Sequence, residues 1–573
     1  MNSTSSSSSS FSEGPLGPEE SRILSNNESL LIPENPAGRS LDQPVSTRTK
    51  RRLSNTDEDL LPRKRAQAIE PAYVPFLTPR TLPTYNEGTS FQGARDFILK
   101  NPSFVSTTQN VYSQGHDSLE VFRWLREYIM QGAEFDSSER DPPPRCHPET
   151  RTTILQRAND WIDNLLPHEQ ILWIRGPAGV GKSAIVQTLV EGLSKSHRLG
   201  ASLFFSRTER RSNPLQVFPT LAYQLATQDI NYRTYLTELM CVNPRSLEKA
   251  MSAQFHLLIL EPFARRKLRE GQPHLLVAID GLDECEGEQN QDKRGQTQLR
   301  GRNSDRVQCA IVQLISDFVR NNPSIPLLWI IASRPETHLS AVFAEDEVVG
   351  TFWEEDVPVD SDEACRDVEI FLHNEFKKIR KHYPNLITQT PWPNSGDFLQ
   401  ITKAASGLFV FAEVVARFID DPQVRNPIAH LDYVLAALSR FPGNVSRQNP
   451  LAALDAIYTA ILARVPAEVV ETTKQLLTTI VFHQRLNISP SPLNEIRRIL
   501  NLSLNDAIVA LDKLPSVIYF SPSRYLDNAC PRFYHASFPD FLRDRSRSHG
   551  YAVGRHVVKE KLLEVCLPGM RSE

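Results

Sequence analysis

Four short apolar runs and a fifth, strand-like run are spaced along the middle of the chain, separated by longer stretches in which apolar residues return every three or four positions. "ILWI" (171–174), "ASLFFS" (201–206), "HLLVAID" (274–280) and "PLLWIIAS" (326–333) are continuous rather than alternating, and "VVGTFWEED" (348–356) closes the series. A strand that is apolar on both sides has to be covered on both faces, which a parallel sheet sandwiched between helices provides. The expected class is therefore α/β, a parallel sheet with helices on both faces. A lead-in helix is expected ahead of it, where "ILQRANDWIDNLL" places Ile154, Leu155, Trp161, Ile162 and Leu165 at helical spacing.

Past the fifth run the period changes. "DVEIFLHNEFKKIRKHY" (367–383), "ASGLFVFAEVVARFIDD" (405–421) and "LAALDAIYTAILARV" (451–465) all carry helix-period apolar faces. "SPLNEIRRIL" and "SLNDAIVALDKL" then precede the strand-like "SVIYFS" and "RFYHASF", a helix–helix–hairpin order that predicts a winged helix. At 573 residues the chain exceeds what one core organises. The expected division is a disordered tail over 1–90, a linker or helical lead-in over 91–147, and the α/β domain over 148–356. A helical domain follows over 357–450, then a helical lead-in and winged helix over 451–548, and the start of a C-terminal helical region over 549–573. The polar stretch 286–305 reads as a loop inserted after a strand.

Composition adds less. The first ~90 residues are rich in Ser, Pro, Asn and Glu, with an unbroken run from Ser5 to Ser10, too polar to offset chain entropy by burial. Within them Lys50, Arg51 and Arg52 stand ten residues ahead of Arg63, Lys64 and Arg65, the spacing of a two-part nuclear import signal, with a solvated tail as the other reading. A net charge of −4 gives no pull toward nucleic acid. Seven scattered cysteines without a CxxC pair argue against a disulfide framework or zinc site. No signal-peptide core is present, and no apolar run nears the ~18 residues of a membrane span. The expected location is cytoplasmic, or nuclear if the basic pair acts.

Chemistry concentrates at the ends of the apolar runs. "GPAGVGKS" after "ILWI" fits G-x-x-x-x-G-K-[ST], so Gly176, Pro177, Ala178, Gly179, Val180, Gly181, Lys182, Ser183 and the first helical Ala184 form a candidate phosphate cradle. Its glycines let successive N–H groups point inward, Lys182 would reach the β- and γ-phosphates, and Ser183 would ligate Mg²⁺. "LLVAIDGLDEC" delivers Asp280 to a strand's carboxyl end as a second Mg²⁺ ligand, with Asp283 and Glu284 close behind to orient or deprotonate an attacking water. Arg334 in "LLWIIASRPE" leaves another strand end where a guanidinium would sense a γ-phosphate. His535 in "FYHASFPDFL" lies about 350 residues further on, and spacing alone leaves it between a core residue and a ligand.

Taken in order, these motifs resemble the NACHT-type, STAND-class P-loop NTPases. The flanks "PETRTTILQRANDWI", "ASLFFSRTERRSNPLQVFPTLAYQLA" and "FYHASFPDFL" resemble the large fungal group with a nephrocystin-like N-terminal NTPase module. The resemblance implies ATP and ADP with Mg²⁺ as ligands, Arg334 as sensor arginine, and His535 on the β-phosphate of ADP in a closed state. It also implies slow hydrolysis coupled to domain opening, protein partners or a homo-oligomer on activation, and a role in fungal self/non-self recognition or programmed cell death. Two departures stand out. Relatives often carry Gly-x-Pro where this chain has Gly407 and Phe409, and they continue into a repeat array, so the chain is expected to be a short form sensing through a partner or a truncated product. Two other readings remain: an ATP-driven enzyme, for which no second motor domain or substrate lobe is found, and a nuclear winged-helix DNA-binding regulator. Residues 486–548 hold eight Lys/Arg against six Asp/Glu, a weak basic face for the latter.

Overall fold

The structure is a computed structural model describing residues 114–163, 168–207, 209–287, 300–440, 451–482, 493–521 and 528–554. The serine-rich tail, the basic clusters at 50–52 and 63–65, and Leu165 lie outside them.

Five parallel strands form the sheet: β1 (Ile171–Arg175), β2 (Leu199–Phe204), β3 (Leu275–Asp280), β4 (Leu327–Ser333) and β5 (Phe352–Asp356), in the order β2-β3-β4-β1-β5. Register puts Ile174 beside Ala332 and Asp280 beside Ala332 on its other side, so β4 separates the strand entering the glycine loop from the strand carrying Asp280. β2 begins two residues before the apolar run that announced it, with a register irregularity between Leu199 and Ala201.

Burial explains why these runs lack alternation. Leu172, Ile174, Leu276, Ala278, Leu328 and Ile330 enter one core with Val186, Leu189 and Val190 of the helix after the glycine loop. Ile171, Trp173, Val277, Ile279, Trp329 and Ile331 enter the other, with Leu221, Leu225, Ile311, Ile315 and Phe343. Each buried aliphatic or aromatic side chain contributes about 1.5–3 kcal/mol. Helices on both faces thus follow from period-two orientation in β1 to β4, while β5, FWEED at the edge of the sheet, is largely exposed. The first core does not stop at the sheet: it continues through Val410 and Phe411 to Phe533, Phe538 and Phe541, so the C-terminal elements share it.

Those elements are the helices Asp362–His382, Ser395–Ala405, Phe409–Ile419, Pro427–Ser439, Ala452–Leu462 and Val470–Phe482. Short helices Leu493–Ile499 and Leu504–Leu511 follow, then the antiparallel pair β6 (Ile518–Phe520) and β7 (Pro531–Phe533). This is the helix–helix–hairpin order expected from the sequence. One expectation is corrected. The last six residues of the stretch 286–305 are not loop, because they begin the helix Arg300–Asn321, whose apolar face from Ile311 onward is long enough to extend helix into polar sequence. Among the described residues no helix is long and apolar enough to cross a membrane.

Candidate functional site

The glycine loop leaves β1 and turns into the helix Lys182–Lys195 through backbone only glycine adopts freely: Gly179 has φ +83° and Gly181 φ +97°. A Cβ on Gly176 would stand 2.7 Å from the Val357 carbonyl oxygen, so the backbone after β5 presses directly on the loop. The loop is also braced from outside. Arg151, buried and stacked near Phe409, donates to the Val180 carbonyl at 2.8 Å while its own N–H meets Asp367 at 2.9 Å. Val410 N donates to the Gly179 carbonyl at 3.1 Å, and Leu408 and Val410 cover that glycine. Here Gly407, at φ +77° and with Ala364 2.8 Å from where its Cβ would stand, turns the chain so that Leu408 and Val410, not a proline, reach the loop.

Lys182 folds back on the loop, donating to the carbonyls of Gly176 (2.7 Å) and Pro177 (2.9 Å). Burial lowers its pKa against the opposing pull of Asp283, Asp280 and Glu284. Asp280, 4% exposed at the end of β3, leaves its Oδ1 buried without a hydrogen-bond partner. Burial raises its pKa, and the Ser183 hydroxyl beside it, with Arg140 and Lys182, favours the charged form. Ser183 and Asp280 are the pair able to hold a divalent cation.

The two following acids divide. Asp283 is committed: its Oδ1 accepts from the Arg334 backbone N–H at 3.0 Å, and its Oδ2 pairs with Arg334 Nε at 3.2 Å. Glu284 accepts from the Arg207 backbone N–H at 3.0 Å, and burial, then the Asp283 charge, raises its pKa. Of the two it is the better proton acceptor.

Arg334 emerges from β4 between the loop strand and the Asp280 strand, where the strand order requires it. Its neighbour Ser333 is occupied by Trp173 Nε1 at 3.0 Å. The guanidinium, however, points across the molecule: its NH2 meets Asp540 Oδ2 at 2.7 Å, 206 residues away on the helix Ser537–Arg543. Burial would lower the Arg334 pKa, but Asp540 and Asp283 outweigh it and raise it.

His535 lies just before that helix. Its Nδ1 accepts from the Ser537 backbone N–H at 3.0 Å and pairs with Ser537 Oγ at 2.7 Å, which in turn meets the buried Tyr458 hydroxyl at 2.7 Å. A ring nitrogen that accepts leaves the proton on Nε2. Burial, then Arg334, lowers its pKa to about 4, so the ring is neutral near pH 7. Lys182 contributes to that lowering, which brings His535 within electrostatic reach of the glycine loop.

Residues 149–334 match the family model described as Nephrocystin 3, N-terminal. The match takes in Arg151, the glycine loop, Asp280 and Arg334 and excludes Asp540 and His535. A curated relative, the vegetative incompatibility protein HET-E-1 of Podospora anserina, is 22% identical over 390 residues, 65% of this chain and 24% of that protein. The chain thus spans about a quarter of that relative's length.

Several participants escaped the sequence reading. Arg207 follows β2, where the strand-end logic that found Arg334 would have found it, and its guanidinium donates to the Asp283 carbonyl. Arg140, 9% exposed over the Phe204 ring, donates to Gln187 Oε1 at 2.8 Å; burial lowers its pKa to about 10 while Asp280 opposes this. Asp540 sits in a quoted motif, but only the fold reveals its partner.

Proposed function

We propose that this chain is a nucleotide-controlled signalling switch that binds ADP and ATP with Mg²⁺, hydrolyses ATP slowly and couples the change to opening between its α/β sheet and its C-terminal helices. The observation that carries the reading is the convergence of Lys182, at the start of its helix, and of Asp280, Asp283, Glu284 and Arg334, near strand ends, with Asp540 and His535 from elements some 200 residues beyond Arg334. An enzyme for rapid turnover gains nothing from tying its γ-phosphate sensor to a distant helix, whereas a switch does.

The residues fit such a ligand. Left-handed glycines at 179 and 181 aim N–H groups into the loop, and Asp280 Oδ1 is a buried acceptor awaiting a partner. Mg²⁺, when bound, supplies charge neutralisation for the phosphates. Ser183 and Asp280 would hold it and Lys182 would reach the phosphates, while Glu284 would take the proton of the attacking water as the γ-phosphate passes to it and ADP leaves. The neutral His535 ring offers an Nε2–H donor, suited to a β-phosphate without adding charge. Similarity to a vegetative incompatibility protein supports a role in self/non-self signalling, and the switch proposed here would act through protein partners or self-association. Among the described residues of the hairpin, the cation Arg532 pairs with Glu139 and Glu209 rather than standing open to phosphates, which favours the switch over DNA binding.

The test is to release and identify the nucleotide carried by the purified full chain, then to repeat with Lys182→Ala and His535→Ala. Retained ADP in the parent, lost with either substitution, is the expected result. An empty parent, or fast turnover with no retained diphosphate, would sink the reading.

A further inference from the structure

We propose that Asp540 is a specificity-determining residue that biases the site toward nucleoside diphosphates by holding the Arg334 guanidinium away from a terminal phosphate. This rests on the nucleotide reading above and deepens it.

The geometry is that of an anion already seated on the sensor. Arg334 turns Nε to Asp283 at 3.2 Å and NH2 to Asp540 at 2.7 Å, so two carboxylates already engage one guanidinium. Both Arg334 and Asp540 side chains are 22% exposed, so the pair is only partly screened by water. Asp540 cannot simply swing aside. Its Oδ1 meets Arg543 NH1 at 3.4 Å, and Arg543 NH2 donates to the Val481 carbonyl at 3.3 Å. The same short helix is pinned by Phe538 and Phe541, both fully buried in the core shared with the sheet. Releasing Arg334 therefore moves the helix, not one rotamer.

Charge sharpens the point. Around Lys182 and Arg334 stand four carboxylates: Asp280, Asp283, Glu284 and Asp540. A diphosphate leaves that balance nearly unchanged at Arg334, whereas a third phosphate brings new negative charge toward a guanidinium already held by Asp540. Like charges at that range disfavour one another unless one leaves. Asp540 and a terminal phosphate thus compete for one cation, and only the carboxylate is attached to the C-terminal helices.

The experiment is competition of ADP and a non-hydrolysable ATP analogue against a fluorescent ADP, on the full chain stripped of nucleotide, for the parent, Asp540→Asn, Arg334→Gln and the double variant. Asp540→Asn is expected to shift preference toward the triphosphate by about tenfold or more while diphosphate affinity stays within about threefold. Asp540→Glu, which keeps the charge, should behave like the parent. In the Arg334→Gln background, Asp540→Asn should move the preference by nothing. An unchanged preference in folded Asp540→Asn, or the same shift without Arg334, overturns the inference. Should the amide unfold the helix, Asp540→Ser carries the same expectation and the same refutation. Failure here is separable from failure of the function itself. A parent that binds neither nucleotide defeats both readings, whereas binding that is lost with Lys182→Ala beside an unmoved Asp540→Asn defeats only this one.

Discussion

At Gly179 the glycine loop meets the C-terminal helices through the Val410 N–H, and Gly179→Ala probes that meeting. The first cost is conformational: at φ +83° an L residue loses roughly 1–2 kcal/mol relative to glycine. The second is steric. A Cβ at 179 would stand well inside van der Waals contact of Val410 Cγ1, with Val410 Cβ at 3.1 Å and Leu408 Cδ1 at 3.3 Å behind it. Forcing a methyl into such a contact costs about 1–3 kcal/mol more. The sum, about 2–5 kcal/mol, should be read in urea unfolding of the full chain by tryptophan fluorescence, with Trp173 buried on the strand that enters the loop. The two parts separate in a double-mutant cycle. Val410→Ala removes Cγ1 and leaves the 3.1 Å Cβ contact, so Gly179→Ala should then cost little more than its conformational term. The coupling, about 1–3 kcal/mol, measures the contact. If Gly179→Ala costs the same in both backgrounds, the loop does not rest on Val410, and the route from loop to C-terminal helices argued here is wrong.

Three further outcomes follow from the site. His535 has its pKa lowered to about 4 in the folded chain, against an ordinary value near 6.5. The unfolded chain then binds the proton first, so the stability due to the neutral ring is complete above pH 6.5 and is lost as pH falls toward 4. That loss reaches about 3 kcal/mol at the lower end, and the difference in unfolding free energy between parent and His535→Gln across this window should reveal it; parallel curves would refute it. Asp280→Asn should leave ADP bound but remove the Mg²⁺ dependence of binding, measured by titration with and without chelator; unchanged Mg²⁺ dependence would clear Asp280 of the role. Arg532→Ala cuts the hairpin's ion pairs to Glu139 and to Glu209, which keeps Arg211, and should speed amide exchange in β6 and β7 while β1, β3 and β4 stay protected. Uniform protection would mean that the pair does not hold the hairpin.

The parts of this molecule legible in its sequence are those whose physics is local. Continuous apolar runs announced the sheet because burial on both faces leaves no polar position to alternate with, and the loop, Asp280 and Arg334 were legible because each sits within a few residues of a strand end. The helical start of the stretch 300–305 was missed because its polar residues carry no period of their own and inherit helix from the apolar face downstream. What stayed hidden is pairwise and distant. Arg334 could be placed by its strand, but its reach to Asp540 crosses 206 residues, and no spacing rule joins them. Arg140 reads as a surface charge until Phe204 is found beneath it, and Val410 as one more apolar position on a helix until Gly179 is found against it.

These hidden contacts have a common direction: Val357, Arg151, Val410, Asp540 and Arg532 all bear on the α/β part from outside its own strands. A site built only to bind phosphate needs none of them, since the loop, Lys182, Ser183 and Asp280 are complete within the sheet. Of the outside contacts, Val410 and Asp540, with Asp367 behind Arg151, make the geometry of the loop and of Arg334 depend on where the C-terminal elements stand. Reciprocity then follows from linkage: if seating those elements on Arg334 and the glycine loop alters affinity for a terminal phosphate, occupancy of the site must alter their seating by the same factor. On the switch reading proposed above, the Arg151 brace, Val410 and Asp540 set the ratio of two nucleotide affinities, and substitutions there should change that ratio rather than abolish either affinity.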